Sequence, residues 1–365
     1  MKQETLKYLI PIVSWFNEAT HEHYQENGIG YAEVPEIVGI TGACENVDTL
    51  FRVGNRLQLP LFLTQTGQLA LEQILRYVPA VYTVITSGRD EEIEDERHLR
   101  QFRLTEEEFD WSLVGSTQEK YNEEKMYEAL LKHIETAVRN IGTKVAAKAS
   151  KILKGYFGQD PAKLVESLRL PFLRITYEEA LRLLKNNGFP KLQWGDDLGV
   201  LEEAAIVKLL SKPSLQRPVF IMRYPKEIKF FSMKVSEKDK RVVLSADLIL
   251  PLAGEAVGSA VREHNGQKLR SRLLTSQMFR LHQERGGAYE DFVWYVDDLV
   301  GAGKTRPHAG YGLGNERLIQ YLVGQKDIRN CSVFSLMARQ SRDWEPRLIK
   351  TQGKLTKHAP LLKSI

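Results

Sequence analysis

The sequence predicts one α+β domain built around a β-sheet. Short apolar stretches typical of strands are scattered along the chain, and long segments with helical periodicity separate them. No linker rich in proline, glycine or serine divides the chain. At 365 residues, the chain is long enough to bury a sizeable hydrophobic core.

Helices and strands are predicted to alternate in the N-terminal part. Residues 12–27 form a helix with one apolar face, which Gly28 can end in a left-handed conformation. Residues 30–40 form a strand that Pro35 interrupts. Further strands are predicted at 62–64 and 81–85, on either side of a helix near residues 68–77.

Longer helices follow. Apolar residues recur at helical spacing over 118–155, and Gly142 is expected to divide this region into two helices. Thr176 is the expected N-cap of another helix, and Glu179 completes a capping box. The remaining predicted elements are apolar strands, at 218–223, 229–235 and 241–250.

The composition excludes several classes of protein. Hydrophobic residues make up 42% and charged residues 27%, which excludes a disordered chain. A net charge of +4 gives no argument for a nucleic-acid partner. No window approaches the roughly 18 apolar residues of a membrane helix, and the start of the chain is a poor signal peptide. Cys44 and Cys331 cannot build a disulfide framework, so we expect a cytoplasmic protein.

The pattern of regular structure fades after about residue 340. We therefore divide the chain into a domain at 1–340 and a basic C-terminal tail at 341–365. From Arg347 onward there are five lysines or arginines and no acidic residue. Such a tail is either a solvated extension or an arm that binds phosphates or a partner.

Three segments carry residues suited to nucleotide chemistry. The first runs from Gly88 to Phe102, where arginine side chains can bind phosphate oxygens and Phe102 can stack on a base. The alternative for this segment is a charged hairpin loop. The second runs from His308 to Arg317, where glycine at every second position lets the backbone approach a flat ligand. Because no βαβ unit surrounds these glycines, a dinucleotide-binding fold is disfavoured.

The third segment runs from Asp247 to Glu263. Acidic residues beside glycines at the end of a strand can hold Mg²⁺ next to phosphates. If the segment is extended, Arg262 points to the same side as the small residues Gly258 and Ala260, and it can pair with a substrate carboxylate or amide. A surface ion pair is the alternative role for Arg262.

In this order, the three segments resemble motifs 2 and 3 of class II aminoacyl-tRNA synthetases, in the asparaginyl and aspartyl subgroup. The stretches at 224–234 and 194–198 also resemble asparaginyl-tRNA synthetase signatures, and Glu33-Val34-Pro35 resembles motif 1. The resemblance covers residues 12 to 334. It implies a class II synthetase fold, an antiparallel sheet flanked by helices, and a homodimer with Pro35 at its interface.

By this resemblance, the protein binds ATP and Mg²⁺ and forms an aminoacyl adenylate. Arg89 would contact the α-phosphate, and Arg317 would hold the far phosphates, which makes these two the catalytic candidates. Glu255, with help from Asp247 or a neighbouring acid, would bind Mg²⁺. The remaining nucleotide-binding candidates are Glu91, His98, Phe102, Gly312 and Gly314.

The amino-acid pocket implied by the resemblance contains Glu45, Gln68, Glu72 and Arg262. Leu71 stands where aspartyl enzymes carry a lysine. A pocket with Arg262 and Glu72 suits an amide better than a carboxylate, because an acceptor remains for the NH₂ group. It could equally hold an aspartate whose β-carboxyl group is being converted to an amide.

The chain departs from the family pattern at several positions. Gly88 replaces the motif 2 phenylalanine, and Asn46 replaces a glycine after the substrate glutamate. Near the end of the match, a family Pro-Phe-Pro-Arg stretch reads Val-Phe-Ser-Leu, so that Leu336 replaces an arginine. The loss of that arginine alters the edge of the expected site.

Two features argue against RNA as the acyl acceptor. Motif 1 begins near residue 12, which leaves no room before it for the family's anticodon-binding barrel. Residues 90–96 contain six acids in seven positions, which would repel RNA phosphates unless the segment is only a solvated loop.

The leading prediction is therefore an AMP-forming ligase that activates aspartate, asparagine or an analogue and transfers the acyl group to ammonia or an amine. This resembles the archaeal asparagine synthetases related to asparaginyl-tRNA synthetase. The alternatives are an asparagine–tRNA ligase and a non-catalytic sensor of an amino acid or nucleotide.

Overall fold

The computed structural model describes residues 3–40, 49–90, 96–116, 118–301, 303 and 305–338. The predicted basic tail at 341–365 lies outside these residues. Within the described ranges, no helix is long and apolar enough to cross a membrane.

Twelve α-helices are described. They are α1 (Gln3–Glu26), α2 (Gln68–Ile74), α3 (Glu123–Lys148), α4 (Ser150–Gly155), α5 (Pro161–Arg169), α6 (Tyr177–Lys185), α7 (Val200–Leu210), α8 (Gly266–Thr275), α9 (Gln277–Glu284), α10 (Val293–Tyr295), α11 (Asn315–Val323) and α12 (Val333–Ala338). The predicted capping box is present at the start of α6, where Thr176 and Glu179 bond each other's backbone.

The strands form two sheets. They are β1 (Gly30–Tyr31), β2 (Ile37–Val38), β3 (Arg52–Val53), β4 (Leu61–Leu63), β5 (Ala80–Gly88), β6 (Gln101–Asp110), β7 (Leu173–Thr176), β8 (Val219–Met222), β9 (Ser245–Leu250), β10 (Gly254–Val261) and β11 (His308–Gly314). The large sheet has the order β1-β5-β6-β11-β10-β9-β8-β7, and β2, β4 and β3 form a small separate sheet.

The predicted class, an α+β fold with an antiparallel sheet flanked by helices, is confirmed. The inner strands pair antiparallel from β5 across to β8, whereas the edge strands β1 and β7 pair parallel with their neighbours. The sheet is therefore mixed, with parallel pairing only at its two edges.

The largest hydrophobic core joins α1, α3 and α11 to the central strands. Phe16 of α1, Ile134 of α3 and Leu318 of α11 are all buried in it, together with Phe109 and Leu313 from the sheet. Each of these side chains is about 1% exposed or less. This packed layer holds β6 and β11, which carry most of the site described below, on a rigid support.

The division of the long helical region differs from the prediction. α3 runs without a break through Gly142 and ends at Lys148, and α4 begins at Ser150. A Cβ atom on Gly142 would lie 2.6 Å from Leu168 Cδ1, so this glycine lets α5 pack closely against α3. Close helix packing, rather than a helix break, explains Gly142.

The predicted strand at 229–235 was wrong. A 3₁₀ turn at Lys226–Ile228 precedes this stretch, and only isolated bridges at Met233 and Val235 tie it to neighbouring segments. Its apolar residues Phe230 and Phe231 are buried under α8 and α10 in a second core cluster. A short apolar run therefore marked a buried loop here.

Candidate active site

A buried carboxylate, Glu72, is the centre of the predicted amino-acid pocket. Gln68 and Glu72 lie one turn apart on α2, and the Gln68 side-chain amide donates to Glu72 Oε1 at 2.8 Å. Tyr295 of α10 donates its hydroxyl hydrogen to Glu72 Oε2 at 2.7 Å. Glu72 is completely buried, so these bonds replace the water that the carboxylate loses on folding.

His308, the first residue of β11, completes the environment of Glu72. Its Nε2 lies 3.0 Å from Glu72 Oε2, and its Nδ1 lies 2.7 Å from the carbonyl oxygen of Arg306. Since both ring nitrogens face acceptors, the doubly protonated imidazolium satisfies both bonds. Burial opposes that charge, but the negative charge of Glu72 prevails and raises the pKa of His308. Burial likewise opposes ionisation of Glu72, yet the charge of His308 lowers its pKa below the ordinary value.

Arg262 lies beside this pair and is held by a second buried carboxylate. Its Nε and Nη2 atoms lie 3.0 and 2.5 Å from Glu108 Oε1, while Glu72 Oε1 is 3.9 Å from Nε. Burial raises the pKa of Glu108 to about 7, against the opposing charge of Arg262. Glu108 pairs across the strands with Gly310, where a Cβ atom would lie 2.1 Å from the Glu108 carboxyl carbon. That glycine is therefore needed to accommodate the Arg262–Glu108 pair.

Glu72, Glu108 and His308 also meet the distance criterion for a metal site. One potential ligand atom from each lies within 4.8 Å of the others. However, Arg262, Tyr295 and Gln68 already bind the two carboxylates, and Arg262 supplies a fixed positive charge. We therefore interpret this group as the wall of a polar pocket.

Glu106 is a further buried glutamate next to the predicted pocket, and it is not among the residues predicted from the sequence. On β6 it points to the same side as Glu108, and Glu107 between them points to the opposite side. Glu106 Oε2 accepts from the backbone N–H of Gly67 at 2.6 Å, and its Oε1 accepts from the Thr66 hydroxyl. Burial raises its pKa to about 7. Glu106 thus fixes the turn that immediately precedes Gln68. The run of three glutamates at 106–108 in one strand was the sequence signal by which Glu106 could have been found.

Replacing Glu106 with glutamine is expected to loosen this turn. The Thr66 hydroxyl and the Gly67 N–H each donate to a separate carboxylate oxygen. The glutamine amide offers only one oxygen, so one of these buried donors is left unpaired. We expect the KM for the amino acid to rise about tenfold, from the roughly 1–3 kcal/mol that an unpaired buried group costs. Glu107→Gln is the matched control, because Glu107 instead accepts from Tyr311 at 2.7 Å. Steady-state kinetics of both variants test this; an equal KM for Glu106→Gln and the unmodified protein would contradict it.

The candidates for nucleotide binding lie at the ends of β5 and β6. Arg89 follows β5, and its backbone N–H donates to the carbonyl oxygen of Arg100 at 2.9 Å. The Arg89 guanidinium carbon is 5.8 Å from the centre of the Phe102 ring. The side chains of Arg89 and His98 are exposed, so both can reach a ligand. The predicted residues Glu45 and Glu91, with Asn46, lie outside the described residues.

The departure at Gly88 has a structural explanation. A Cβ atom at this position would lie 3.0 Å from Phe51 Cδ2. The ring of Phe51, which precedes β3, therefore fills space next to Gly88. Gly88 reshapes this part of the site without leaving a void. The Leu336 side chain lies outside the described residues.

Arg317, in the first turn of α11, is held by two backbone carbonyls. Its Nη1 and Nη2 atoms donate to the carbonyl oxygens of Ala253 and Arg97 at 2.7 and 2.8 Å. Gly312 and Gly314 precede it on β11, with Gly312 paired opposite Glu106 and Gly314 opposite Leu104. Along β11, the two glycines thus lead from the position opposite Glu106 to the start of α11, which carries Arg317.

The two predicted metal ligands lie in different surroundings. Asp247 is buried and its Oδ2 is 2.7 Å from Lys229 Nζ. Glu255, on β10, is exposed. Desolvation of its carboxylate, and then the negative charge of Asp247, raise the pKa of Glu255 to about 8, while the charges of Lys229 and, to a lesser extent, Arg89 oppose that rise. A divalent cation would relieve the repulsion between these carboxylates, so Glu255 with Asp247 fits the oxygen donor set that Mg²⁺ prefers.

The arrangement can be compared with known proteins. The family described as tRNA synthetases class II (D, K and N) matches residues 1–338. The chain belongs to this family. It has the catalytic fold of this family of ATP-dependent ligases.

Individual relatives of the chain are asparagine–tRNA ligases by name. The enzyme of Pyrococcus furiosus is 32% identical over 306 residues, which cover 84% of this chain and 63% of the relative. That of Symbiobacterium thermophilum is 30% identical, with 87% and 66% covered. The chain therefore spans less than two thirds of the length of these relatives.

A solved structure supports the same relationship. The asparaginyl-tRNA synthetase of Pyrococcus horikoshii, crystallised with asparaginyl-adenylate, superimposes with a TM-score of 0.77. The two proteins are 29% identical, and the match covers 90% of this chain and 68% of the other. The names of these relatives favour the asparagine–tRNA ligase alternative over RNA-free amide ligation, and they give no support to the expectation that RNA is disfavoured.

Proposed function

We propose that the protein activates asparagine with ATP, forming asparaginyl adenylate and pyrophosphate. The observation that carries this proposal is the buried pair of Glu72, which stays ionised, and Arg262, which lies 3.9 Å from it. Together they offer an acceptor for the NH₂ group of a carboxamide and a donor for its carbonyl oxygen. Gln68, one turn before Glu72 on α2, is the residue we assign to the substrate beside them.

The charges of the pocket support an amide over a carboxylate. Glu72, Glu106 and Glu108 are acidic, whereas Arg262 and His308 are the cations that contact Glu72 or Glu108. A substrate carboxylate would meet the negative charge of Glu72, which stays ionised, whereas a neutral amide avoids that repulsion. Leu71, which is buried, adds no cation.

The nucleotide half of the site supports an in-line attack on ATP. The substrate carboxylate would attack the α-phosphate, and Arg89 would neutralise the negative charge that develops there. Arg317 would bind the outer phosphates, and Phe102 would stack on the adenine. Magnesium held by Glu255 and Asp247 would supply further positive charge to the phosphates. His98, Gly312 and Gly314 complete the set that we assign to ATP.

We propose tRNA as the acyl acceptor, by analogy with the named relatives. RNA-free transfer from activated aspartate to ammonia is the second candidate, because the acidic segment at 90–96 disfavours contact with RNA phosphates. A homodimer is also proposed. Tyr31, Ile37 and Leu63, on strands near Pro35, leave 49%, 52% and 40% of their surface exposed and are available for such an interface.

The acceptor can be tested by AMP release from labelled ATP. The first reaction contains asparagine and total tRNA, and the second contains aspartate and ammonia. We expect AMP with asparagine and tRNA, and labelled asparagine attached to the RNA. AMP formed only with aspartate and ammonia, together with free asparagine as product, would overturn the tRNA-ligase proposal in favour of amide ligation. ATP binding without AMP in either reaction would indicate a non-catalytic sensor.

A further inference from the structure

A buried glutamate outside the three motif-like segments contacts the nucleotide half of the site. Glu203 is on α7, one of the two helices that connect β7 to β8 along the chain. Its carboxylate Oε2 lies 2.9 Å from Arg97 Nη2, and it accepts from the backbone N–H of Glu255 at 3.3 Å. Glu203 is 7% exposed, so the ion pair with Arg97 is shielded from solvent.

The local backbone is shaped to permit this contact. Gly254 has a positive φ of 75°, which strongly favours glycine. A Cβ atom here would lie 2.3 Å from Arg97 Nη2 and 2.7 Å from Glu203 Oε2. The turn into β10 therefore packs directly against the ion pair, with no room for a larger residue.

The ion pair between Glu203 and Arg97 lies next to the groups that hold Arg317. The Arg317 guanidinium donates to the carbonyl oxygens of Ala253 and Arg97, which are the residue before Gly254 and the partner of Glu203. One carboxylate from α7 thus holds both backbone segments that fix Arg317, and it also holds the amide of Glu255.

We propose that Glu203 is a positioning residue for the triphosphate of ATP. It would act through Arg97 and the Ala253–Glu255 turn, keeping Arg317 and Glu255 in the geometry that receives the phosphates and their metal ion. This inference rests on the proposed ATP-dependent activation. It assigns part of nucleotide recognition to the helical layer, which the motif-like segments do not include.

The test is asparagine-dependent exchange of labelled pyrophosphate into ATP, with Glu203→Gln. The amide keeps the shape of the side chain but removes its charge. We expect the KM for ATP to rise about tenfold and the KM for asparagine to change less than about twofold, since only the charge-assisted bond to Arg97 is weakened. Glu202→Gln, on the same helix and outside these contacts, is the matched control.

A double-mutant cycle with Arg97→Lys keeps the test independent of folding. If Glu203 acts through Arg97, the two substitutions together should raise the KM for ATP by less than the product of their separate effects. Fully multiplicative effects, an ATP KM equal to that of Glu202→Gln, or a Glu203→Gln variant whose KM rises equally for both substrates would overturn the proposal. Absence of exchange by the unmodified protein would instead refute the proposed function itself.

Discussion

Arg89→Ala is expected to lower the rate constant of asparagine-dependent pyrophosphate exchange about a hundred- to a thousandfold, the usual loss when one preorganised donor to a developing charge is removed. The side chain is exposed next to Phe102, and its charge is felt by Glu255 across the nucleotide half of the site. Because the charge on the α-phosphate grows as the substrate attacks, kcat should fall more than ATP affinity. Arg89→Lys should retain part of the activity, since lysine keeps the charge but loses the forked geometry.

The chain offers a matched control for this substitution. Arg52 on β3 is also exposed, and its guanidinium carbon is 5.8 Å from the centre of the Phe62 ring, the same separation as between Arg89 and Phe102. Arg52→Ala therefore removes an equivalent cation–aromatic contact from the small sheet. Exchange kinetics should leave this control near the activity of the unmodified protein. An Arg89→Ala variant as active as the control would contradict the assignment of Arg89.

Arg262→Ala is expected to destabilise the protein and to abolish asparagine activation. Removing Arg262 leaves Glu108 and Glu72 without their shared cation, and breaking a buried ion pair costs about 3–5 kcal/mol in the free energy of unfolding. The loss is measured by urea unfolding monitored by circular dichroism. Loss of the donor for the substrate carbonyl should at the same time remove exchange activity at pH values where the variant is folded.

The stability loss should depend on pH. The pKa of Glu108 is already raised to about 7, and without Arg262 it should rise further. A raised native pKa means that stability is present at low pH and is lost as pH rises through that pKa. Because the pKa of Glu108 is raised, the loss of stability in Arg262→Ala should therefore be larger at pH 8 than at pH 6.

The double variant Glu108→Gln with Arg262→Met should recover part of the stability, because neither buried charge remains. A deficit below about 1 kcal/mol, or one that is greater at pH 6, would contradict the account.

The elements with strong local signals were predicted correctly from the sequence. The capping box at Thr176 and Glu179 depends on residues three apart, and its pattern is visible without the fold. The role of Gly142 was predicted incorrectly, because it depends on Leu168 of a different helix. The stretch at 229–235 is as apolar as a strand, and only its position under α8 and α10 makes it a loop.

The residues of the candidate site likewise divide into those with a signal in the sequence and those placed only by tertiary contacts. Gln68, Glu72 and Arg262 were predicted from family-like motifs, and they lie together in the fold. Their partners Glu108, His308 and Tyr295 were given no role, since those contacts are set by strand register and by the position of α10. Glu106 and Glu203 were missed for the same reason. A motif identifies the groups that touch the ligand, whereas the groups that hold them are determined by tertiary contacts.

Pyrophosphate exchange with asparagine or aspartate as the sole amino acid, and no acceptor present, tests the central claim most directly. The account predicts exchange that depends on asparagine, with kcat/KM about a hundredfold or more above that for aspartate, because the Glu72 pocket favours an amide over a further carboxylate. The preference should be lost in Glu72→Gln, which removes the negative charge of the acceptor that we assign to the NH₂ group of the substrate. Faster exchange with aspartate in the unmodified protein would contradict the claim that this site activates asparagine.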